Sequence, residues 1–158
     1  MPVRTRTERD SLGPVAVPAT AFYGVQTVRA IQNYPISGIR AHPALVRAYG
    51  WLKLACAEVN LELEMIPRRV ARAIIAAARE VARGELDSQF VVDVYQAGAG
   101  VSFHMNVNEV IANRAIWHLT NHDLKKLGDY SIVHPNDHVN FGQSTNDTFP
   151  TAVRLAAL

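Results

Sequence analysis

Apolar side chains recur at helical spacing in four stretches of the 158-residue chain. In the first, residues 42–63, Leu45, Leu52, Cys56, Val59 and Leu63 stand three, four or seven apart and predict one buried stripe. Pro43 suits the first turn of that helix, because proline lacks only an N–H that a helix start leaves unpaired. Pro67 opens a second helix with Val70, Ile74, Ala78 and Val81 inward, and Gly84 reads as its stop. A third is predicted from about Asn106 through Thr120, and a fourth from near Thr145. The first forty residues read as irregular, with a turn at Gly13–Pro14 and a short extended "YPISG". "FVVDVYQ" (90–96) has strand propensity but is short. The pattern predicts a mainly α protein with very little sheet.

Composition narrows the class. Hydrophobic residues make up 49% and charged residues 19% of the chain, which is enough apolar material for one cored domain. The polar N-terminus is no signal peptide, no apolar run reaches the length of a membrane span, and a cytoplasmic location is expected. A single cysteine, Cys56, excludes an internal disulfide and reads as a buried, inert thiol. The net charge of +2 conceals a basic first half: residues 1–84 carry twelve Lys/Arg against six Asp/Glu, and residues 85–158 four against eight. Arg68, Arg69, Arg72, Arg79 and Arg83 are spread around one helix without interleaved aromatics. They read as a solvated face, not a nucleic-acid footprint.

Candidate chemistry concentrates in two polar segments. "QAGAGVSFHMNVNEVIANRA" (96–115) begins like a dinucleotide-binding loop, but Phe103 stands where the third glycine belongs. What remains is a small-residue turn leading to Asn106, Asn108 and Glu109, as ordinary helix-start chemistry supplies. His118 and His122, and His134 and His138, are spaced four apart, but the glutamate of the zinc-protease pattern is absent and no metal is expected. "HPNDHVNFGQSTNDTFPTA" (134–152) collects amides and hydroxyls just ahead of a helix. Ser144, Thr145 and Asn146 could cap that helix with nothing bound. Equally, their hydroxyls and the free N–H groups could hold a carboxylate, helped by the helix dipole.

These two segments, with "DSLGPVAVPATAFYGVQTVRAIQNYPISG", resemble the fumarase/aspartase superfamily in order and spacing over nearly the whole chain. The resemblance implies the helical N-terminal domain of the aspartase-like fold over residues 1–142. Residues 143–158 would begin the first helix of a central bundle whose remainder is absent. "FYGVQTVRA" and "YQAGAG" look more like aspartate ammonia-lyases than fumarases. That implies reversible cleavage of L-aspartate to fumarate and ammonia through an aci-carboxylate dianion, without a cofactor. Ser144, Thr145 and Asn146 match the family's substrate-binding triplet, and Arg29 stands where aspartases carry an arginine. Two departures are Val101, where the family usually has a threonine, and His104, where it usually has an asparagine; Ser102 could substitute as donor. In fumarases the loop of His134, Asn136 and Asp137 forms a second anion site with an upstream arginine, near where Ser131 stands here. Family members are longer, assemble their active sites from different subunits of a homotetramer, and carry a serine base on a later segment. The chain is therefore expected to hold part of a dicarboxylate site and to be inactive alone. The alternatives are a fumarate hydratase-like fragment, or a non-catalytic module that binds a dicarboxylate or associates with a full-length lyase.

Overall fold

The computed structural model describes residues 4–158. Two strands come first: β1 (Thr5–Asp10) and β2 (Gly13–Pro18) form an antiparallel hairpin with Thr5 opposite Pro18 and Asp10 opposite Gly13. Five helices follow: α1 (Val25–Asn33), α2 (Pro43–Glu62), α3 (Arg68–Ala82), α4 (Val101–Leu119) and α5 (Thr145–Ala157). The mainly helical reading holds, but the N-terminal forty residues are not irregular. They contain the hairpin and α1. The hairpin escapes a hydrophobicity reading because its buried positions are only Glu8 and Val17, one of them charged. It is held by Arg6, whose guanidinium donates to the carbonyls of Pro18, Ala21 and Tyr23 at 2.7–2.9 Å.

Helix α4 is the centre. It is buried on nearly every side, against α3, α1 and a single wide turn at Pro135–Val139, and α2 and α5 close over its start. It begins at Val101, five residues before the predicted Asn106. Gly100 takes φ +84° ahead of it, and the Gln96 side-chain oxygen accepts the Phe103 N–H at 2.6 Å, capping the early start. Asn106 and Asn108 are therefore not at a helix start but inside α4, as is a third amide, Asn113. Two of these amides tie loops to the helix: Asn106 accepts from Val91 N–H and donates to the Gln89 carbonyl, and Asn113 holds Phe22 and Gly128. The 90–96 segment forms no strand, only a bridge between Arg40 and Asp93.

Helices α2 and α3 pack as a hairpin, and Gly50 lets them approach so closely that a Cβ there would overlap the Ala82 backbone. The α3 reading holds: Ile74, Ala78 and Val81 are buried, Val70 is half-buried, the five arginines are exposed, and Gly84 at φ +79° follows the helix end. The α2 stripe is displaced. Val59 and Leu63 are 52% and 63% exposed, whereas Val46, Tyr49, Lys53 and Ala57 face inward. Apolar residues occur on several sides of this helix, so spacing alone admits a rotated stripe.

Candidate functional site

Three elements converge behind the N-terminus of α5. Ser144 is its N-cap, with the Oγ accepting the Asn146 N–H at 3.2 Å, so its own hydroxyl proton stays available. Thr145, the next residue, brings its Oγ1 to 2.5 Å from His104 Nδ1 on the first turn of α4. The other ring nitrogen, His104 Nε2, lies 2.8 Å from Asn140 Oδ1 and 3.0 Å from Lys53 Nζ of α2. Lys53 also donates to Asn140 Oδ1 at 2.9 Å and to Gln143 Oε1 at 2.8 Å. Gly100 makes the convergence possible, since the Phe149 ring of α5 lies against it where any Cβ would collide.

Lys53 and His104 are each only 1% exposed, and among the described residues Lys53 has no carboxylate partner. A buried ammonium surrounded only by neutral acceptors is poorly compensated. Burial accordingly brings Lys53 down to about 7. Burial and the charge of Lys53 lower His104 to about 4, so its imidazole is neutral near pH 7. The positive charge behind Thr145 and the positive end of the α5 dipole both favour an anion at the exposed Ser144–Asn146 turn.

The other sequence candidates lie apart from this cluster. Arg29 lines an open cleft of about 350 Å³ together with Val101 and Ser102. Its guanidinium is occupied there, bonded to both Asp10 oxygens at 2.8 Å and to the Gly13 carbonyl at 3.1 Å. Val101 is 42% exposed, while Ser102 is buried. His134 caps the wide turn, its Nδ1 accepting the Asn136 and Asp137 N–H groups at 3.2 and 3.1 Å, with both of those side chains in solvent. His118 pairs with Glu80, and His122 stacks on Trp117 at 3.7 Å. Among the described residues, no group of three His, Cys, Asp or Glu gathers as a metal site would require. Sequence reasoning missed Lys53, Asn140 and Gln143. The available signal for the first was a lysine placed among Tyr49, Gly50 and Ala57 at helical spacing.

A family model described as lyase matches residues 13–158. The chain belongs to this lyase family, that of the fumarases and aspartases. Among its relatives, the class II fumarate hydratase of Halobacterium salinarum is 54% identical over 97% of this chain and 32% of that protein. The aspartate ammonia-lyase of a Bacillus species is 47% identical over the same shares. A crystal structure of fumarate lyase:delta crystallin from Brucella melitensis in native form superposes with a TM-score of 0.91 at 50% identity, covering 97% of this chain and 35% of that one. The chain thus spans about a third of the length of the family members it matches. No helix among its described residues is long and apolar enough to cross a membrane.

Proposed function

We propose that the chain supplies the carboxylate-binding corner of a fumarate-forming lyase, with fumarate hydration to L-malate and its reverse as the leading activity of the whole protein. The observation that carries this reading is the buried, unpaired Lys53 aligned through His104 with the α5 N-terminus. Ser144 and Thr145 hydroxyls with the exposed Asn146 side-chain amide would hold one substrate carboxylate. As a proton leaves the adjacent carbon, that carboxylate gains charge, and the same donors bind it more strongly. The base would come from a segment beyond residue 158. No organic cofactor enters the reaction in this reading. The class II fumarate hydratases among the relatives support malate over aspartate.

The second reading, an aspartate ammonia-lyase, is favoured by the 47%-identical Bacillus relative and by the "FYGVQTVRA" and "YQAGAG" segments. The whole protein would be a homo-oligomer in either case, which the exposed Val153 and Leu155 of α5 support. The test is a titration of the labelled chain with fumarate, L-malate and L-aspartate, read at the Thr145 and Asn146 amide signals, with fumarate absorbance followed in parallel. Saturable shifts without turnover are expected, larger with L-malate than with L-aspartate. A larger response to L-aspartate would turn the choice to the ammonia-lyase. Unmoved amides would remove the carboxylate site, and turnover by this chain alone would place a base within it.

A further inference from the structure

We infer that Lys53, His104 and Thr145 form a proton wire, through which the buried amine exchanges its proton with the α5 N-terminus and sets the direction of the Thr145 hydroxyl. The argument starts from the amides. Asn140 Nδ2 donates to the Gln143 carbonyl at 3.1 Å, and Gln143 Nε2 donates to the Val139 and Phe141 carbonyls at 3.0 and 3.3 Å. Each NH₂ group faces a carbonyl, so both amide oxygens are turned to Lys53 and can only accept.

Two proton arrangements then satisfy the cluster. With Lys53 as an ammonium, its three protons go to Asn140 Oδ1, Gln143 Oε1 and a bare His104 Nε2. The imidazole proton sits on Nδ1 and is donated to Thr145 Oγ1, leaving the threonine hydroxyl proton free to point outward. This arrangement sets the Nε2 and Asn140 Oδ1 lone pairs against each other at 2.8 Å, with the ammonium between them. With Lys53 as a neutral amine, Nε2 carries the proton and gives it to Asn140 Oδ1 and the amine lone pair. Nδ1 is then bare and accepts from Thr145, whose hydroxyl is turned inward.

The conversion balances. A proton passes from Nζ to Nε2, the Nδ1 proton passes to Thr145 Oγ1, and the original hydroxyl proton leaves to solvent. One proton is released, at the mouth of the site. The titratable groups around Lys53 are His104 from α4, Tyr49 of α2 with its ring 5.8 Å from that imidazole, and Cys56 one turn along α2, and Asp147 of α5 acts on Cys56. The segment after the wide turn presents amides, and the core face of α3 is alanine, isoleucine and valine. Burial brings the amine to about 7, within reach of ordinary conditions, while the imidazole stays neutral there and can respond only by changing tautomer.

The consequence for binding rests on the carboxylate reading above, because an anion at Ser144–Asn146 needs the outward hydroxyl and so selects the ammonium form. The wire itself is independent of it. The test is nitrogen NMR of the histidine side chains in the 15N-labelled chain, from pH about 5 to about 9, beside the titration of the Lys53 side chain. His104 is expected to cross from the Nδ1–H to the Nε2–H tautomer with the midpoint of Lys53. In K53M it should hold the Nε2–H tautomer throughout. A single tautomer across the range in the unaltered chain, or a Lys53 still charged at the upper end, overturns the wire. Fumarate should move the crossover to higher pH. A crossover that fumarate leaves in place keeps the wire and removes the carboxylate reading.

Discussion

Gly100 answers to two demands at once. Its φ of +84° is a left-handed conformation that a Cβ penalises, and the space that Cβ would take is filled by the Phe149 ring. An alanine there must pay a backbone cost of roughly 1–2 kcal/mol and displace an aromatic ring from a packed position, roughly 1–3 kcal/mol more. G100A is therefore expected to lose about 2–5 kcal/mol in urea unfolding, and to shift the His104 ring signals because α5 is pushed off α4. A loss below about 0.5 kcal/mol would mean that Phe149 moves aside freely. Residues at this scale were legible unevenly. Ser144 and Thr145 could be singled out because hydroxyls just ahead of a helix either cap it or hold an anion, and Ser144 is indeed the cap of α5. Lys53 carried only its helical spacing from Tyr49, Gly50 and Ala57 as a signal, against the ordinary place of a lysine on the wet side of an amphipathic helix. Its inward placement depends on Asn140 and Gln143, which stand about ninety residues away.

At the scale of elements, the N-terminus of α1 shows what the acidic residue in the amide-rich segment does. Gly24, the N-cap, has no side chain to offer the helix's unpaired N–H groups. Glu109, buried in α4, supplies the acceptors: it takes the N–H groups of Gly24, Gln26 and Thr27 at 2.9–3.0 Å and the Thr27 hydroxyl at 2.6 Å. Glu8 of β1 takes the Val25 N–H, so the hairpin and the central helix meet at one helix end. The local sequence could show an acidic residue near a helix start, but not that the helix it caps lies eighty positions earlier. E109Q keeps the shape and turns an NH₂ toward at least one N–H donor. The expected loss is about 2–4 kcal/mol, with hydrogen-exchange protection falling first in α1. Protection lost evenly across α1 to α5, or a stability change under about 0.5 kcal/mol, would contradict the cap.

For the whole molecule, the buried basic groups leave a signature in the pH dependence of stability. Lys53 is lowered from 10.5 to about 7 in the folded chain, so above about 7 the unfolded state binds more protons at this position than the native state does. Stability then rises with pH, and the cost of burying the charge is fully present below about 7. His104, lowered from 6.5 to about 4, acts in the same sense in its own window, with stability rising between those two values. Above pH 9 the effect meets opposition, because burial raises the Cys56 thiol from 9.0 and Tyr49 from 10.0 to about 12, and a raised acid loses stability as pH climbs. The window from about 7 to 9 thus belongs mainly to Lys53. A single group can contribute at most about 1.4 kcal/mol per pH unit there. Urea unfolding at the two ends of the window is expected to show the native chain more stable at the alkaline end, and K53M, whose side chain fills similar volume without a charge, nearly level. An equal slope in both proteins would mean that Lys53 reaches water in the folded state. In that case its charge would be solvated in place, and the proposed attraction of an anion to the α5 N-terminus would fall to the helix dipole and the hydroxyls alone.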